Sequence, residues 1–300
     1  MSMPLVIHDL QDSQMFALAQ AAGRAGLPVV GTSWPVEPWV KKSRYVQKAV
    51  ALPCLGEVVS GVYAMNLKKS ELKGVWLPCV DDMASFTAEY APFLSHIGMH
   101  FISADPETIE RAITTHELPS RGMIRVPDGE MLSMHDLHDG KCRCAFPLML
   151  KSRRNGFMRV DDAASLRQIL QPQIEAGHGG QMEIIQSYIA GSVEHMASAI
   201  VLFDDEGRPV RGFTGRRLRV ARTYFGAFGE TTAARAEWIP ELYEGACELL
   251  SHLGWRGFAE VECKQDENGD WQLLEINPRL SGWTCLAEAD GAGFLQAYYR

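Results

Sequence analysis

The chain has 300 residues, 46% of them hydrophobic, and a formal net charge of −8. That length buries more than one core, so two or three linked domains are expected. The acidic balance argues against a nucleic-acid binder, no apolar run approaches the length of a membrane span, and seven cysteines without small-domain spacing predict reduced thiols in a cytoplasmic setting.

The first hundred residues alternate strands with helices. "PLVIHDL" reads as a strand, "SQMFALAQAAGRAG" as a helix stopped by Gly26, and "LPVVGTS" as a second strand. "GVWLPCV", "MASFTAEYAPFLSHIG" and "MHFISAD" continue as strand, helix and strand. Such alternation implies a parallel sheet with helices on its faces. The first strand–helix turn, "HDLQDSQ", has no glycine, which argues against a Gly-rich dinucleotide site.

From Pro106 the pattern changes to α+β. "PETIERAITTHELPSRG" reads as helix, "MLSMHDLHD" as a short helix, and "CAFPLMLKS" as a strand carrying Lys151. "DDAASLRQILQPQIEAG" opens on an aspartate able to cap a helix and ends at Gly177. "MEIIQSYI" is a strand, "SAIVLFDDEGRPVRGFTGRRLRV" a hairpin around Asp205-Glu206-Gly207, and "IPELYEGACELLSHLG" a helix.

The last hairpin, "VECKQDENGDWQLLEINPRLSG", carries the chemistry. Asn268-Gly269 predicts a two-residue turn with positive φ at both positions. That turn sets Glu262 opposite Glu275 and Glu260 opposite Asn277, with Cβ atoms roughly 4.5–5.5 Å apart. Two carboxylates so placed repel unless a proton or cation lies between them. A hard divalent cation suits oxygen donors, Asn277 adds a third, and the forked donors of Arg279 suit a phosphate. Two blander readings stand beside this: exposed hairpin glutamates are commonly just solvated, and a three- or four-residue loop would shift the register and part the pair.

With those residues in place, "GFAEVECKQDENGDWQLLEINPRLSG" resembles the metal-binding end of the ATP-grasp superfamily, nearest its carbamoyl-phosphate-synthetase-like and amino-acid-ligase-like members. The resemblance implies a pre-ATP-grasp parallel-sheet domain over 1–105, then two α+β subdomains over 106–182 and 183–300. It implies ATP and Mg²⁺, with Mn²⁺ a permitted substitute. Lys151 would contact the α/β phosphates. Gln186, Ser187 and Tyr188 would form the adenine hinge, largely through backbone groups. Glu194, or Val193 in its place, would meet the ribose. Glu262, Glu275 and Asn277 would hold Mg²⁺, and Arg279 would face the transferred phosphoryl group. The activity implied is ATP-dependent ligation of a small-molecule carboxylate to an amine through an acyl phosphate. A homodimer is compatible with the sequence without being specified by it.

"GRRLRV" places Arg217 and Arg219 on one strand face by alternation, where they would meet phosphate or an anionic substrate. They belong to a run that also holds Arg211, Arg216 and Arg222. Two features depart from the family pattern. His116 stands where a nucleotide-binding lysine is usual, and the loop "SRRNGF" keeps one glycine, with Arg153 and Arg154 as compensating charge. These departures support an alternative: a nucleotide-binding regulatory or partner protein with weak or lost catalysis. Separately, His135, His138, Cys142 and Cys144 are all zinc-binding residue types, but their spacing is not that of a common finger, no second half follows, and ordinary packing is the better account of them.

Overall fold

The structure is a computed structural model that describes residues 2–300 except 56, 153–155 and 223–227. The first unit runs β1 (Leu5–Ile7), α1 (Ser13–Arg24), β2 (Val29–Ser33), α2 (Pro38–Lys41), β3 (Lys48–Ala51), α3 (Ser60–Lys69), β4 (Gly74–Leu77), α4 (Asp81–Glu89), α5 (Ala91–His96) and β5 (Met99–His100). Its strands form one parallel sheet in the order β3-β2-β1-β4-β5. Side chains alternate across the pleat. Leu5, Ile7 and Val29 therefore join Leu18, Ala19 and Ala22 of α1 on one face, while Val6, Val30 and Trp76 join Tyr63 and Leu67 of α3 on the other. Asp12 caps α1 by accepting from Gln14 N and Met15 N at 2.8 and 3.0 Å. The single helix expected over 83–98 is broken into α4 and α5, because Pro92 lacks the amide a continuous helix needs and instead opens α5.

The chain continues with α6 (Pro106–Ile113), β6 (Ile124–Arg125), β7 (Gly129–Ser133), α7 (Met134–His138), β8 (Leu148–Ser152), β9 (Gly156–Val160), α8 (Ala163–Gln173) and β10 (Met182–Ser187). Then come β11 (Met196–Phe203), β12 (Pro209–Arg222), β13 (Phe228–Ala236), α9 (Pro240–His252), β14 (Gly257–Gln265), β15 (Trp271–Asn277), α10 (Thr284–Ala289) and α11 (Phe294–Tyr299). A small antiparallel sheet has the order β7-β10-β8-β9 and packs on α7 and α8. Met182, the expected domain edge, is the first residue of β10 inside that sheet. Ile109 and Ala112 of α6 and Ile124 of β6 pack instead into the core of the large sheet.

The large sheet has the order β13-β12-β11-β14-β15-β6, antiparallel except for β15 with β6. One face packs on α9 through Ala197, Ala199, Val201, Val261 and Cys263. On the other face, Ile200, Leu202, Phe213 and Phe258 join the core of the first unit. Toward the Met196 end of β11 this second face turns polar, with Ser198 paired to Glu262 and Ile200 to Glu260. That polar end is the candidate site.

The β14–β15 hairpin reaches the expected pairing by a different route. Glu262 lies opposite Glu275 and Glu260 opposite Asn277. The turn, however, is closed by Asp266 N donating to Asp270 O at 3.0 Å, which makes it one residue longer than an Asn-Gly pair alone. Gly269 has φ of 86° while Asn268 is not in the left-handed region. A β-bulge between Glu262 and Cys263 then leaves Leu274 as an extra residue and restores the register. The bulge also decides orientation. Trp271 and Leu273 point into the α9 core, and strict alternation would send Glu275 and Asn277 after them. The extra residue sends Ile276 into the core instead and turns Glu275 and Asn277 to the polar face.

Candidate active site

Glu262, Glu275, Asn277 and Glu260 form an acidic patch on that face. Asn277 Nδ2 donates to Glu262 Oε1 at 3.3 Å and to Glu260 Oε2 at 3.4 Å. With its amide nitrogen so occupied, Asn277 keeps Oδ1 as the acceptor it offers. Burial, then the Glu262 charge, push the Glu275 carboxyl up to about 8. The same two causes raise Glu260, which is only 2% exposed and has its Oε1 buried without a hydrogen bond.

Cations close around the patch. Lys151 Nζ from β8 donates at 2.5 Å to the carbonyl of Leu274, the bulged residue. Burial lowers its pKa, and the charges of Glu275 and Glu262 act against that. Arg217 Nη2 is ion-paired with Glu262 Oε2. Arg279 is held between two carboxylates. Its Nε donates to Asp81 Oδ1 at 3.1 Å, at the start of α4 in the first unit, and its Nη1 lies 3.4 Å from Glu260 Oε2.

Arg219 does not join this group. The bulge at Leu218 pairs Arg217 with Ala234 and Arg219 with Ala233, so the two arginines face opposite ways. Arg219 is exposed and donates to Thr232 Oγ1 at 3.2 Å. Arg216 points to the α9 side, bound to Glu237 at 2.9 Å and to the Glu194 carbonyl at 3.0 Å. Arg211 is exposed, with its Nη1 on the Val210 carbonyl at 2.7 Å. Arg153, Arg154 and the side chain of Arg222 lie outside the described residues.

The hinge strand β10 faces this patch from the small sheet. The Gln186 side chain is buried and donates to Leu273 O at 3.5 Å, next to the carbonyl that Lys151 takes. The amides of Ser187 and Tyr188 already donate to Asp128 O at 2.8 Å and Pro147 O at 3.3 Å. Those two amides, expected to face adenine, are thus already paired within the protein. Tyr188 presents its ring, with the Arg159 guanidinium 4.6 Å and the Lys264 ammonium 5.5 Å from the centroid. His116 sits behind the hinge. A side chain on Gly129 would come within 3.0 Å of its Cβ and 2.9 Å of Ile185 O. Glu194 is exposed in the turn that leads into β11, and Val193 beside it is partly buried.

Three residues that shape this site were not among the expected ligands. Lys264 is buried and donates to Ile189 O at 2.9 Å and Gly191 O at 2.8 Å, binding the post-hinge loop to β14. Glu260 and Asp81 hold Arg279. The period-two run Glu260, Glu262, Lys264 is visible in the sequence as charges on one strand face. Asp81 is legible only once the first unit is docked. The histidines of the conceived zinc set are elsewhere: His135 lies against Gly179, and His138 Nδ1 is 3.7 Å from Asp139.

Solved structures share this architecture. The chain aligns over 99% of its length with 73% of an L-amino acid ligase from Bacillus licheniformis, at 18% identity and TM-score 0.70. A Campylobacter jejuni biotin carboxylase in complex with β,γ-ATP aligns over 99% of this chain and 70% of its own, at 12% identity and TM-score 0.73. A D-alanine–D-alanine ligase from Bacillus anthracis complexed with ATP covers 100% of this chain with 95% of its own, at 16% identity and TM-score 0.59. The fold is the ATP-grasp fold. No family sequence model and no curated relative matches the chain.

Proposed function

We propose that the chain is an ATP-dependent carboxylate–amine ligase that works through an acyl phosphate. The observation that carries this is the convergence of Glu262, Glu275 and Asn277 on one sheet face, opposed by Lys151 and flanked by Arg279. The donor set is all oxygen, which fits Mg²⁺, or Mn²⁺ in its stead, over softer ions. Burial first, and then the facing Glu262 charge, raise the Glu275 carboxyl, and a cation between the pair would offset both. When bound, the cation shields the negative charge of the triphosphate.

In this reading Lys151 takes α/β phosphate oxygens. The hinge around Gln186, Ser187 and Tyr188 borders the adenine, His116 backs it, and Glu194 meets the ribose. A substrate carboxylate oxygen attacks the γ-phosphorus, the bond to the β,γ-bridging oxygen breaks, and ADP leaves. The amine nitrogen then attacks the acyl carbon, inorganic phosphate leaves, and the surplus ammonium proton passes to solvent. Arg279 stabilises charge on the transferring group, with Arg217 the second cation in reach. Such a reaction rests on positioning and charge stabilisation, which a preorganised arginine and lysine supply. The test is an ADP-release screen over carboxylate and amine pairs, repeated with ¹⁸O-labelled carboxylate. An acyl phosphate transfers one label to the released phosphate; unlabelled phosphate alongside product would exclude it.

A second reading draws on the Arg217–Glu262 ion pair. With Arg217 and Asn277 both on that carboxylate, Glu262 is satisfied without a cation. That arrangement would suit a nucleotide-binding regulator. Calorimetric binding of ATP with no ADP release across the whole screen would favour it.

A further inference from the structure

Outside the candidate active site, Cys142 and Cys144 come together with Glu130, a residue the spacing of cysteines and histidines does not point to. One ligand atom from each lies within 4.8 Å of the others. Glu130 projects from β7, while the cysteines sit on the segment between α7 and β8. The carboxylate is already fixed in direction. Its Oε1 accepts from Arg143 N at 2.6 Å and Cys144 N at 3.2 Å, and its Oε2 from Arg143 Nε at 3.2 Å. A carboxylate has about four lone-pair positions, so these three bonds leave it able to ligate. Outer hydrogen bonds of this kind orient first-contact ligands in metal sites. Both thiols are free and partly exposed, open to an ion and to solvent.

We propose that Glu130, Cys142 and Cys144 bind a thiophilic divalent cation, Zn²⁺ foremost, with solvent at a fourth position. Thiolate donors select Zn²⁺ over Mg²⁺, so this site and the oxygen-only patch at Glu262 and Glu275 choose different ions. Without metal both thiols are held toward their protonated form beside the Glu130 carboxylate. Burial foremost, then Cys142 and Glu130, push the Cys144 thiol up to about 12. A dication reverses that balance, and binding releases the two thiol protons to solvent. The site bears on the hinge: Cys144 Sγ lies 3.9 Å from the carbonyl of Asp128, the same carbonyl that receives the Ser187 amide. A bound ion would therefore stiffen the edge of the small sheet beside the hinge.

The test uses the full chain, purified under reducing conditions and stripped with chelator, then titrated with Co²⁺ alone and separately with Zn²⁺ alone. The expected result is one thiolate-bound ion per chain, counted by the saturation of a near-ultraviolet thiolate-to-Co²⁺ charge-transfer band that Zn²⁺ displaces. Cys142→Ser with Cys144→Ser abolishes the band, whereas Cys247→Ser leaves it. Glu130→Gln keeps an acceptor for the Arg143 and Cys144 amides, so the loop stays folded, and weakens binding by at least about tenfold. The proposal is overturned by the absence of a band in the folded wild-type chain, by a band that survives the double serine variant, or by thiol counting that finds Cys142 and Cys144 joined as a disulfide.

Discussion

Glu275 carries the sharpest consequences at the scale of a residue. Its carboxyl is pushed up to about 8 in the folded chain, above the ordinary carboxylate value that the unfolded chain returns to. The native state therefore holds a proton that the unfolded state has lost. Without divalent ions, stability falls as pH rises from the ordinary carboxylate range through about 8. A cation needs the ionised form, so Mg²⁺ affinity runs the other way. It should rise up to about tenfold per pH unit below that value and level off above it, measured by Mg²⁺ titration across the range. Glu275→Gln removes the charge but keeps the shape, and is expected to abolish ADP release while leaving the melting temperature unchanged or higher at alkaline pH. Arg217 is ion-paired with Glu262 and, in the proposed site, would compete with the cation for it. Arg217→Met should tighten binding of Mg²⁺ alone and weaken binding of Mg-ATP; a loss of both would show that Arg217 only supports the fold.

Hairpins and strand registers decide which of these residues meet. The facing of Glu262 and Glu275 was legible in the sequence, yet the local geometry behind it was not. A turn one residue longer than Asn-Gly and a bulge at Leu274 offset each other, and neither leaves a mark in residue type that a pattern of alternation detects. The same blindness misplaced Arg219, because the bulge at Leu218 is equally silent. Amphipathic helices such as α1 and α9, and the capping aspartate of α8, were plain because their signals are local. The strand β13 and the helices α10 and α11 were not, since packing against other units defines them. Deleting Leu274 removes the bulge but leaves Glu275 directly after the core-facing Leu273, so plain alternation keeps Glu275 and Asn277 on the polar face; Mg²⁺-dependent nucleotide binding should survive, weakened by loss of the carbonyl that Lys151 takes. Deleting Glu267 from the exposed turn should preserve it, as calorimetry on both variants would show. Lys264→Met leaves the carbonyls of Ile189 and Gly191 without their donor, at a cost of about 1–3 kcal/mol, with nucleotide affinity lowered alongside stability in denaturant titration.

Across the whole molecule, the parallel-sheet unit and the large sheet act as one body. They share a core through Ile200, Leu202, Phe213 and Phe258, and Leu280 N donates to Pro78 O at 3.0 Å. Tyr298 of α11 donates to Trp76 O at 2.8 Å and accepts from Ile102 N at 3.2 Å. Removing α11 should therefore loosen the first unit before the rest, seen as early hydrogen exchange in β1 and β4. The small sheet, by contrast, has its own core and meets the site through polar ties: Lys151 and Gln186 to the bulge carbonyls, and Lys264 to the post-hinge loop. Polar ties of this number exchange partners more readily than a shared apolar core, so nucleotide binding is expected to act by moving the small sheet against the other two units. The measurement that bears most directly on all of this is thermal unfolding with Mg-ATP, with ATP plus chelator, and with Glu275→Gln. At a concentration of about 100 times Kd, Mg-ATP should add about 2.7 kcal/mol, an upward shift of several degrees that disappears with chelator and in the variant. A shift that persists undiminished in both would mean that any nucleotide bound does not depend on the paired glutamates, and no shift in the wild-type chain would contradict the ATP site itself.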